Sequence, residues 1–209
     1  MIEGLDGVAD VVRPILDSRF TAREFAIATG RKVIRSSANA IRALHRGDDA
    51  EGRRLIGEAG DLLESLHEAT VDHPELRFVG YAEDAAKEFA EASLTAAIFA
   101  GEPIPLNTDL GIDPVPYLHG LGETVGECRR RLLDALRDGR LTEAESLLQA
   151  MNAIVDLLAS LDYPDGMTSG LMRTTDVSRA LVERSRSDLT STVVQDRLRA
   201  QIERLGLEG

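Results

Sequence analysis

The amino-acid sequence predicts an all-α protein, folded as a single-domain helical bundle over residues 1–209. Alanine and leucine supply 53 of the 209 residues, whereas valine and isoleucine supply only 24, which is a helix-favouring composition. The seven prolines leave two long uninterrupted stretches, residues 15–73 and 117–163. Apolar residues recur with helical spacing along most of the chain, and no alternating strand pattern of useful length interrupts them.

The first half of the chain contains three apolar stripes, which predict three helices. The first predicted helix ends at the turn residues 47–49, and the third begins after Pro74. The stripes consist of Phe20, Ile27, Ile34, Ile41 and Leu44 in the first helix; Leu55, Ala59, Leu62, Leu66 and Ala69 in the second; and Phe78, Ala82, Ala85, Phe89, Ala92, Ala96 and Phe99 in the third.

A loop rich in proline, glycine and aspartate, residues 101–114, separates the third helix from the fourth. Asp113 has the character of an N-cap and Pro114 that of a first helical residue. The fourth helix is therefore expected to span residues 114–137, because Asp138 and Gly139 follow as a stop signal.

The last third of the chain predicts two more helical regions. Thr142 and Glu145 have the spacing of a capping box and predict the start of the fifth helix. A final helical region spans residues 170–205, with a candidate break near Ser187 and a stop at Gly206. Its end carries a further apolar stripe: Val194, Leu198, Ile202 and Leu205.

Charge excludes a simple basic-surface nucleic-acid binder, because the net charge is −12. Of the 24 basic residues, only Lys32 and Lys87 are lysines, and the remainder are arginines. A chain that is acidic and poor in lysine is typical of a salt-rich cytoplasm, where ions screen repulsion between carboxylates. We therefore expect a halophilic, cytoplasmic origin.

Several other classes of protein are disfavoured by composition. The single cysteine, Cys128, excludes an internal disulfide and a cysteine-based zinc site, and the four histidines form no metal-binding motif. No apolar run approaches the roughly 18 to 20 residues of a membrane span. The N-terminal segment is acidic and lacks the apolar core of a secretory signal. No membrane partner is expected, and any metal site would have to use carboxylates.

The third helix contains a stretch that is poor in charge within a charge-rich protein. Residues 89–101 carry one charged side chain, Glu91, so the helix is expected to be buried on nearly every side. Glu88 lies three residues earlier and therefore on the same face of the helix.

The start of the fourth helix repeats this pattern. Residues 114–126 carry a single charge, Glu123, and Glu127 follows one turn later on the same face. Two pairs of glutamates thus lie within otherwise apolar surfaces of two different helices. Buried carboxylates are costly unless they are paired, protonated or bound to a cation.

Convergence of the two pairs would create a site for Mg²⁺ or Mn²⁺, which prefer oxygen ligands. Such an ion can activate water and neutralise charge that develops on a phosphoryl group. Gly120, Gly122 and Gly126 surround the second pair, and close approach of another helix or a ligand would explain them. The alternative is that the glutamates form ordinary salt bridges, such as Glu83 with Lys87 or Glu127 with Arg131.

Arginine clusters are candidates for contacts with phosphates. Arg31 and Arg35 share one helix face, and Arg130 lies in a run of three arginines. Such residues either form a solvated face that pairs with the abundant acids or line a surface that contacts nucleic acid. The residues alone leave both interpretations open.

Four blocks of sequence resemble the translin family, and more closely its translin-associated factor X branch and archaeal relatives. The order and spacing of the blocks extend through nearly the whole chain. They are AREFAIATGRKVIRSSANAIRALHRGD (22–48), EFAEA (88–92), PYLHGLGETVGECRRR (116–131) and DVSRALVERSRSDLT (176–190).

The resemblance implies a protomer of about seven helices that assembles into a barrel-like, octamer-like homo-oligomer around single-stranded RNA or single-stranded DNA. X-type subunits resemble Mg²⁺-dependent endoribonucleases, and their catalytic, metal-binding carboxylates match Glu88, Glu91, Glu123 and Glu127. Arg31, Arg35 and Arg130 would contact the RNA backbone.

Two other functions remain open from the sequence. The first is a non-catalytic oligomer that binds single-stranded RNA or DNA, with salt-sensitive affinity that is indifferent to chelators. The second is an all-α nucleotide pyrophosphatase of the MazG type, which also places paired glutamates on one helix. The four-residue spacing of Glu123 and Glu127 disfavours that type.

Overall fold

The computed structural model describes residues 4–204 and 206, and every regular element within them is a helix. The elements in chain order are α1 (Leu5–His45), α2 (Asp49–Ala69), a short 3₁₀-helix (Pro74–Phe78), α3 (Gly80–Ala100), α4 (Pro114–Arg137), α5 (Leu141–Ser160), α6 (Asp165–Thr168) and α7 (Leu171–Arg204). Seven α-helices in the described residues confirm the predicted all-α class.

Helices α3 and α4 lie at the centre of the bundle. Helix α3 packs against α1, α2 and α4, while α4 also packs against α5 and α7. Every residue from 89 to 97 is buried, which confirms that the charge-poor part of α3 belongs to the core. The largest fully buried side chains include Leu63, Leu94, Leu121 and Met151, which come from four different helices. The site glutamates of α3 and α4 are thus carried by the two most central helices.

The boundaries of α4 are those predicted, and those of α5 are close to the prediction. Asp113 is the N-cap residue of α4, although its side chain forms no capping hydrogen bond. Helix α5 begins at Leu141 with Arg140 as its N-cap, so the predicted capping box of Thr142 and Glu145 is wrong. The first helical residue lies before Thr142, which therefore sits inside the first turn.

Helix α1 differs from its predicted form at its start. It begins at Leu5 and continues through Pro14, which lies on an exposed part of the helix. Phe20 is exposed, so the predicted stripe does not face the core there. The buried face is carried instead by residues such as Val33 and Ala40 farther along the helix.

Two other elements also depart from the predicted pattern. The segment after Pro74 forms the 3₁₀-helix, and α3 begins only at Gly80, which leaves Phe78 exposed. Helix α7 is continuous through Ser187, so the expected break is absent from the described residues. In its C-terminal stripe, Val194, Leu198 and Ile202 are exposed, and Leu205 lies outside the described residues.

Across residues 4–204, no helix combines the length and the hydropathy that crossing a bilayer requires.

Candidate metal centre

Gly120 brings the backbones of α3 and α4 into close contact beside the predicted site. A Cβ atom at Gly120 would lie 2.7 Å from the carbonyl oxygen of Lys87 and 3.0 Å from the amide nitrogen of Glu91. Gly122 plays a similar part toward α7, because a Cβ atom there would lie 2.3 Å from a methyl carbon of Thr174. At Gly126 a Cβ atom would meet nothing within 4 Å, so close packing does not explain this glycine.

The crossing brings three of the four predicted glutamates together. One carboxylate oxygen from each of Glu88, Glu91 and Glu123 lies within 4.8 Å of the other two. Glu91 is buried, Glu88 is partly buried and Glu123 is exposed, so the cluster opens from the core to the surface. Three oxygen ligands with an open side suit a hard divalent cation such as Mg²⁺ or Mn²⁺, which keeps bound waters. The residues present therefore fit such an ion.

Burial gives Glu91 an unusual protonation equilibrium. Desolvation, followed by repulsion from Glu123, Glu88 and Glu127, raises the pKa of Glu91 to about 8. Its carboxyl group is therefore protonated at neutral pH when no cation is bound. A divalent cation would remove this repulsion and favour the charged form.

Lys87 brings a positive charge next to two carboxylates of the cluster. Its Nζ donates a hydrogen bond to Oε1 of Glu123 at 2.8 Å and lies 3.4 Å from Oε1 of Glu88. Burial acts to lower the pKa of Lys87, but its hydrogen bond to Glu123 and the charges of both carboxylates raise it overall. The alternative salt bridge between Glu83 and Lys87 is not formed within the described residues, because Lys87 pairs with Glu88 and Glu123.

Glu127 lies beside the cluster but is held by a different partner. Its Oε2 is 2.5 Å from Nε2 of His45, whose side chain is 5% exposed and packs edge-to-face on Phe99. Arg131, the alternative partner expected from the sequence, instead donates to Glu143 and lies over the ring of Phe99. Glu127 influences Glu91 through its charge, because its repulsion contributes to the raised pKa of that carboxyl group.

Two pockets adjoin the carboxylates, and Glu123 borders both. One lies between α4 and α7, and Glu91, Gly126, Arg173 and Val177 also line it. Arg173 is the basic side chain of this pocket, and it is exposed. The second pocket is lined in part by Glu83, Asp84, Lys87, His119 and Ser169.

His119 serves to join helices in this protein. Its Nε2 lies 2.9 Å from the carbonyl oxygen of Thr168. A carbonyl oxygen only accepts, so this nitrogen carries the hydrogen and donates the hydrogen bond. Its Nδ1 lies 2.9 Å from the hydroxyl group of Thr174, which donates to it. The ring thus ties α4 to α6 and α7 at the edge of the second pocket.

The predicted phosphate-binding arginines are exposed and lie away from both pockets. Arg31 and Arg35 are on α1, and Arg130 is on α4. Among the residues with described side chains, none of the three has a carboxylate partner within 4.0 Å. They remain candidates for contact with a polyanion, although they do not line the pockets next to the glutamates.

Sequence patterns did not identify Lys87, His45 or Arg173 as site residues. Lys87 lies 36 residues before its partner Glu123, and His45 lies 82 residues before its partner Glu127. Each joins the site by a contact between helices, which spacing along the sequence does not reveal. The only available signal for Lys87 was its rarity, since the chain has two lysines.

The fold and site define a class of protein: an all-α bundle whose two central helices carry a carboxylate cluster open to solvent. No family model matches the chain. Three related proteins are similar over most of its length.

The chain is 31% identical to the translin-like protein AfC3PO, in a structure of its complex with duplex RNA. The TM-score is 0.83, over 89% of this chain and 96% of that one. It is 29% identical to an uncharacterized protein of Methanocaldococcus jannaschii, over 91% of this chain and 85% of that protein. NeC3PO, in a crystal structure of its apo form, has the same fold, with a TM-score of 0.77 over 92% of this chain and 98% of that one at 18% identity. The chain belongs to the translin family.

Proposed function

We propose that this protein binds RNA and cleaves it as a metal-dependent endoribonuclease. The observation that supports catalysis is the convergence of Glu88, Glu91 and Glu123 at one opening between α3 and α4. RNA as the substrate is supported by the similarity to AfC3PO, whose structure is that of a duplex RNA complex. Single-stranded RNA remains the preferred substrate expected from the resemblance, and single-stranded DNA is a second candidate.

Glu88, Glu91 and Glu123 would hold Mg²⁺ or Mn²⁺, with Glu127 beside them. When bound, the ion supplies a Lewis acid that activates water and neutralises charge on a phosphoryl oxygen. One of the glutamates acts as the general base that accepts a proton from the attacking water. Arg173, which lines the same pocket as Glu91, contacts the phosphate that enters it, whereas Arg31, Arg35 and Arg130 contact the RNA backbone outside the pockets.

Self-association is part of this function. The first half of α1 exposes several large apolar side chains, which a second copy of the chain can bury. They are Leu5, Val8, Val11, Val12, Ile15, Leu16 and Phe20. The resemblance extends this to a barrel-like, octamer-like homo-oligomer that encloses the nucleic acid, with the glutamate clusters of the subunits facing the bound strand.

A non-catalytic RNA-binding oligomer is the second candidate function. It is favoured by one observation, namely that the positive charge of Lys87 lies between the carboxylates of Glu88 and Glu123 and offsets part of their negative charge. In that case the cluster would serve the packing of α3 on α4 rather than chemistry.

Cleavage of an end-labelled single-stranded RNA distinguishes the two candidates. We expect products with Mg²⁺ or Mn²⁺, none with EDTA, and at least a hundredfold slower cleavage by Glu91→Gln, roughly the loss expected when general-base or metal-ligand function is removed. The control is Glu64→Gln, an exposed glutamate of α2, which should cleave like the wild type. Duplex RNA and nucleoside triphosphates serve as additional substrates, the second to test nucleotide hydrolysis.

RNA that is bound but not cleaved, equally by wild type and Glu91→Gln, would refute the nuclease and leave the binding oligomer. Hydrolysis of free nucleotides without cleavage of RNA would favour the pyrophosphatase.

A further inference from the structure

Lys87 places its ammonium group against two of the three carboxylates of the cluster. Its ammonium group is 2.8 Å from Glu123 and 3.4 Å from Glu88, two of the three residues whose oxygens could hold a metal. The side chain is 23% exposed, so its stem is largely covered while its charged end faces the carboxylates. A bound divalent cation and this ammonium group would therefore compete for the same oxygens.

The choice of lysine at this position is informative in a chain so rich in arginine. Only Lys32 and Lys87 are lysines among the 24 basic residues. An arginine would bind two carboxylates through a planar fork of several hydrogen bonds, whereas lysine carries one compact charge on a flexible stem. A lysine can thus leave the cluster by rotation of its side chain at a lower cost in hydrogen bonds.

The adjoining pocket offers Lys87 other acidic partners. Glu83 and Asp84 lie four and three residues before Lys87 on α3, and both line the pocket that Lys87 borders. Side chains at these spacings lie on the same helix face and can form ion pairs. Rotation of the Lys87 stem toward the start of α3 would move its charge from the cluster to these two carboxylates.

We propose that Lys87 is an internal counter-ion of the metal centre. It offsets part of the negative charge of Glu88 and Glu123 when no metal is bound, and moves to Glu83 and Asp84 when a divalent cation enters. This proposal rests on the metal-binding role given to the cluster above. Its consequence is that Lys87 lowers the affinity of the centre for the cation and keeps the cluster folded without it.

Binding of Mn²⁺ measures this competition directly and does not depend on RNA cleavage. Free Mn²⁺ can be titrated by electron paramagnetic resonance against the full-length wild type, Lys87→Gln and Lys32→Gln. Removing a positive charge next to the bound ion should tighten binding by roughly tenfold or more in Lys87→Gln, given the strength of charge interactions at this distance. Lys32→Gln is the matched control, because it removes the other lysine from an exposed position on α1, and it should bind like the wild type.

Each outcome decides one part of the proposal. Loss of Mn²⁺ binding in Glu91→Gln would support the metal centre. If Lys87→Gln then binds Mn²⁺ no more tightly than the wild type does, the counter-ion role is overturned while the metal centre stands. An equal gain in both lysine variants also overturns it, since net charge would then be the cause. If neither wild type nor Lys87→Gln binds Mn²⁺, the metal centre itself is refuted.

Amine labelling of the wild type provides a second test that needs no variant. The chain has only two lysine side chains, so mass spectrometry can follow the acetylation of each one separately. Mn²⁺ should raise the labelling of Lys87 severalfold relative to Lys32, because the ammonium group leaves the carboxylates for the more open pocket. Unchanged or reduced labelling of Lys87 at saturating Mn²⁺ would overturn the movement.

Discussion

Glu91 shows how one buried carboxyl group can link stability, protonation and metal binding. It lies in the buried part of α3. Burial first, and then repulsion from the neighbouring glutamates, disfavours the charged form of its carboxyl group and raises its pKa. Its neutral form tolerates this environment, whereas its charged form needs a cation. A side chain kept in so unfavourable a place for stability is typical of a functional site.

The raised pKa of Glu91 predicts a specific dependence of stability on pH. From its ordinary value of 4.5 to about 8, the folded protein holds a proton that the unfolded chain has lost. The free energy of unfolding therefore falls as pH rises through this window, and the full penalty is present above about pH 8. Glu91→Gln should lack the penalty and become increasingly more stable than wild type between pH 5 and pH 8.5 in EDTA.

Urea unfolding followed by circular dichroism at several pH values measures this difference, with Glu64→Gln as the control at an exposed site. A difference between Glu91→Gln and wild type that does not change with pH would contradict the raised pKa.

Neighbouring residues of the site divide into those that neutralise and those that orient. Lys87 contacts the carboxylates of Glu88 and Glu123, while His45, which packs on Phe99, holds Glu127 at the edge of the cluster. The short contact to His45 restrains the Glu127 carboxylate. Glu127 is therefore suited to keeping the site in one arrangement.

At the level of helices, the site depends on how closely α4 approaches α3. Gly120 allows this approach, because any larger side chain would collide with backbone atoms of Lys87 and Glu91. A clash with backbone is costly to relieve, since the helix as a whole must shift. The geometry of the cluster is therefore coupled to the packing of two helices.

Substitution of glycine in α4 should separate packing from helix propensity. Gly120→Ala is expected to lower the free energy of unfolding by about 1 to 3 kcal/mol, because overpacking a close contact has this typical cost. It should also weaken Mn²⁺ binding, since α4 would move Glu123 away from Glu91. Gly126→Ala is the matched control on the same helix; its added methyl group meets open space, and it should stabilise the protein by up to about 1 kcal/mol through helix propensity.

Chemical denaturation and Mn²⁺ titration of both variants test this expectation. Equal stability of Gly120→Ala and Gly126→Ala would show that the close approach of α3 and α4 does not control the site.

At the scale of the whole molecule, α1 has an apolar surface that no other part of the described chain covers. Its side chains with described burial from residue 4 to residue 20 are all exposed, although several are large and apolar. Apolar surface of this kind is unfavourable in water and marks an interaction surface. Association of several copies would also place many acidic subunits together, which the expected salt-rich environment would screen.

A charge introduced into this part of α1 should disrupt the oligomer without unfolding the subunit. Ile15 lies on the exposed half of α1, away from the core. The circular dichroism signal of the helices should therefore persist in Ile15→Glu while the proposed oligomer dissociates. Size-exclusion chromatography with light scattering would measure the mass of the particle. Arg13→Glu is the control in the same segment, since it changes charge but removes no apolar side chain; an unchanged mass for Ile15→Glu would exclude this surface from the interface.

Much of the fold follows from the chain's own chemistry. The charge-poor stretch of α3 predicted the burial of Glu91, and the turn residues at 113–114 and 138–139 predicted the boundaries of α4, because helical periodicity and punctuation are local properties. The same stretches identified the four glutamates as candidates. Spacing within each helix predicted that the members of each pair share a face, but it could not set the distance between the two helices.

Contacts between helices decided the remaining features, because they depend on residues far apart in the sequence. The crossing at Gly120 united Glu88, Glu91 and Glu123 and left Glu127 to His45, which lies 82 residues away. Local spacing offered Glu83 as one alternative partner of Lys87, yet the flexible side chain of Lys87 reaches across to Glu123 on α4 instead. The sequence alone thus determined the class of fold and the chemistry of the candidate ligands, whereas tertiary packing determined which ligands meet and which cation stands among them.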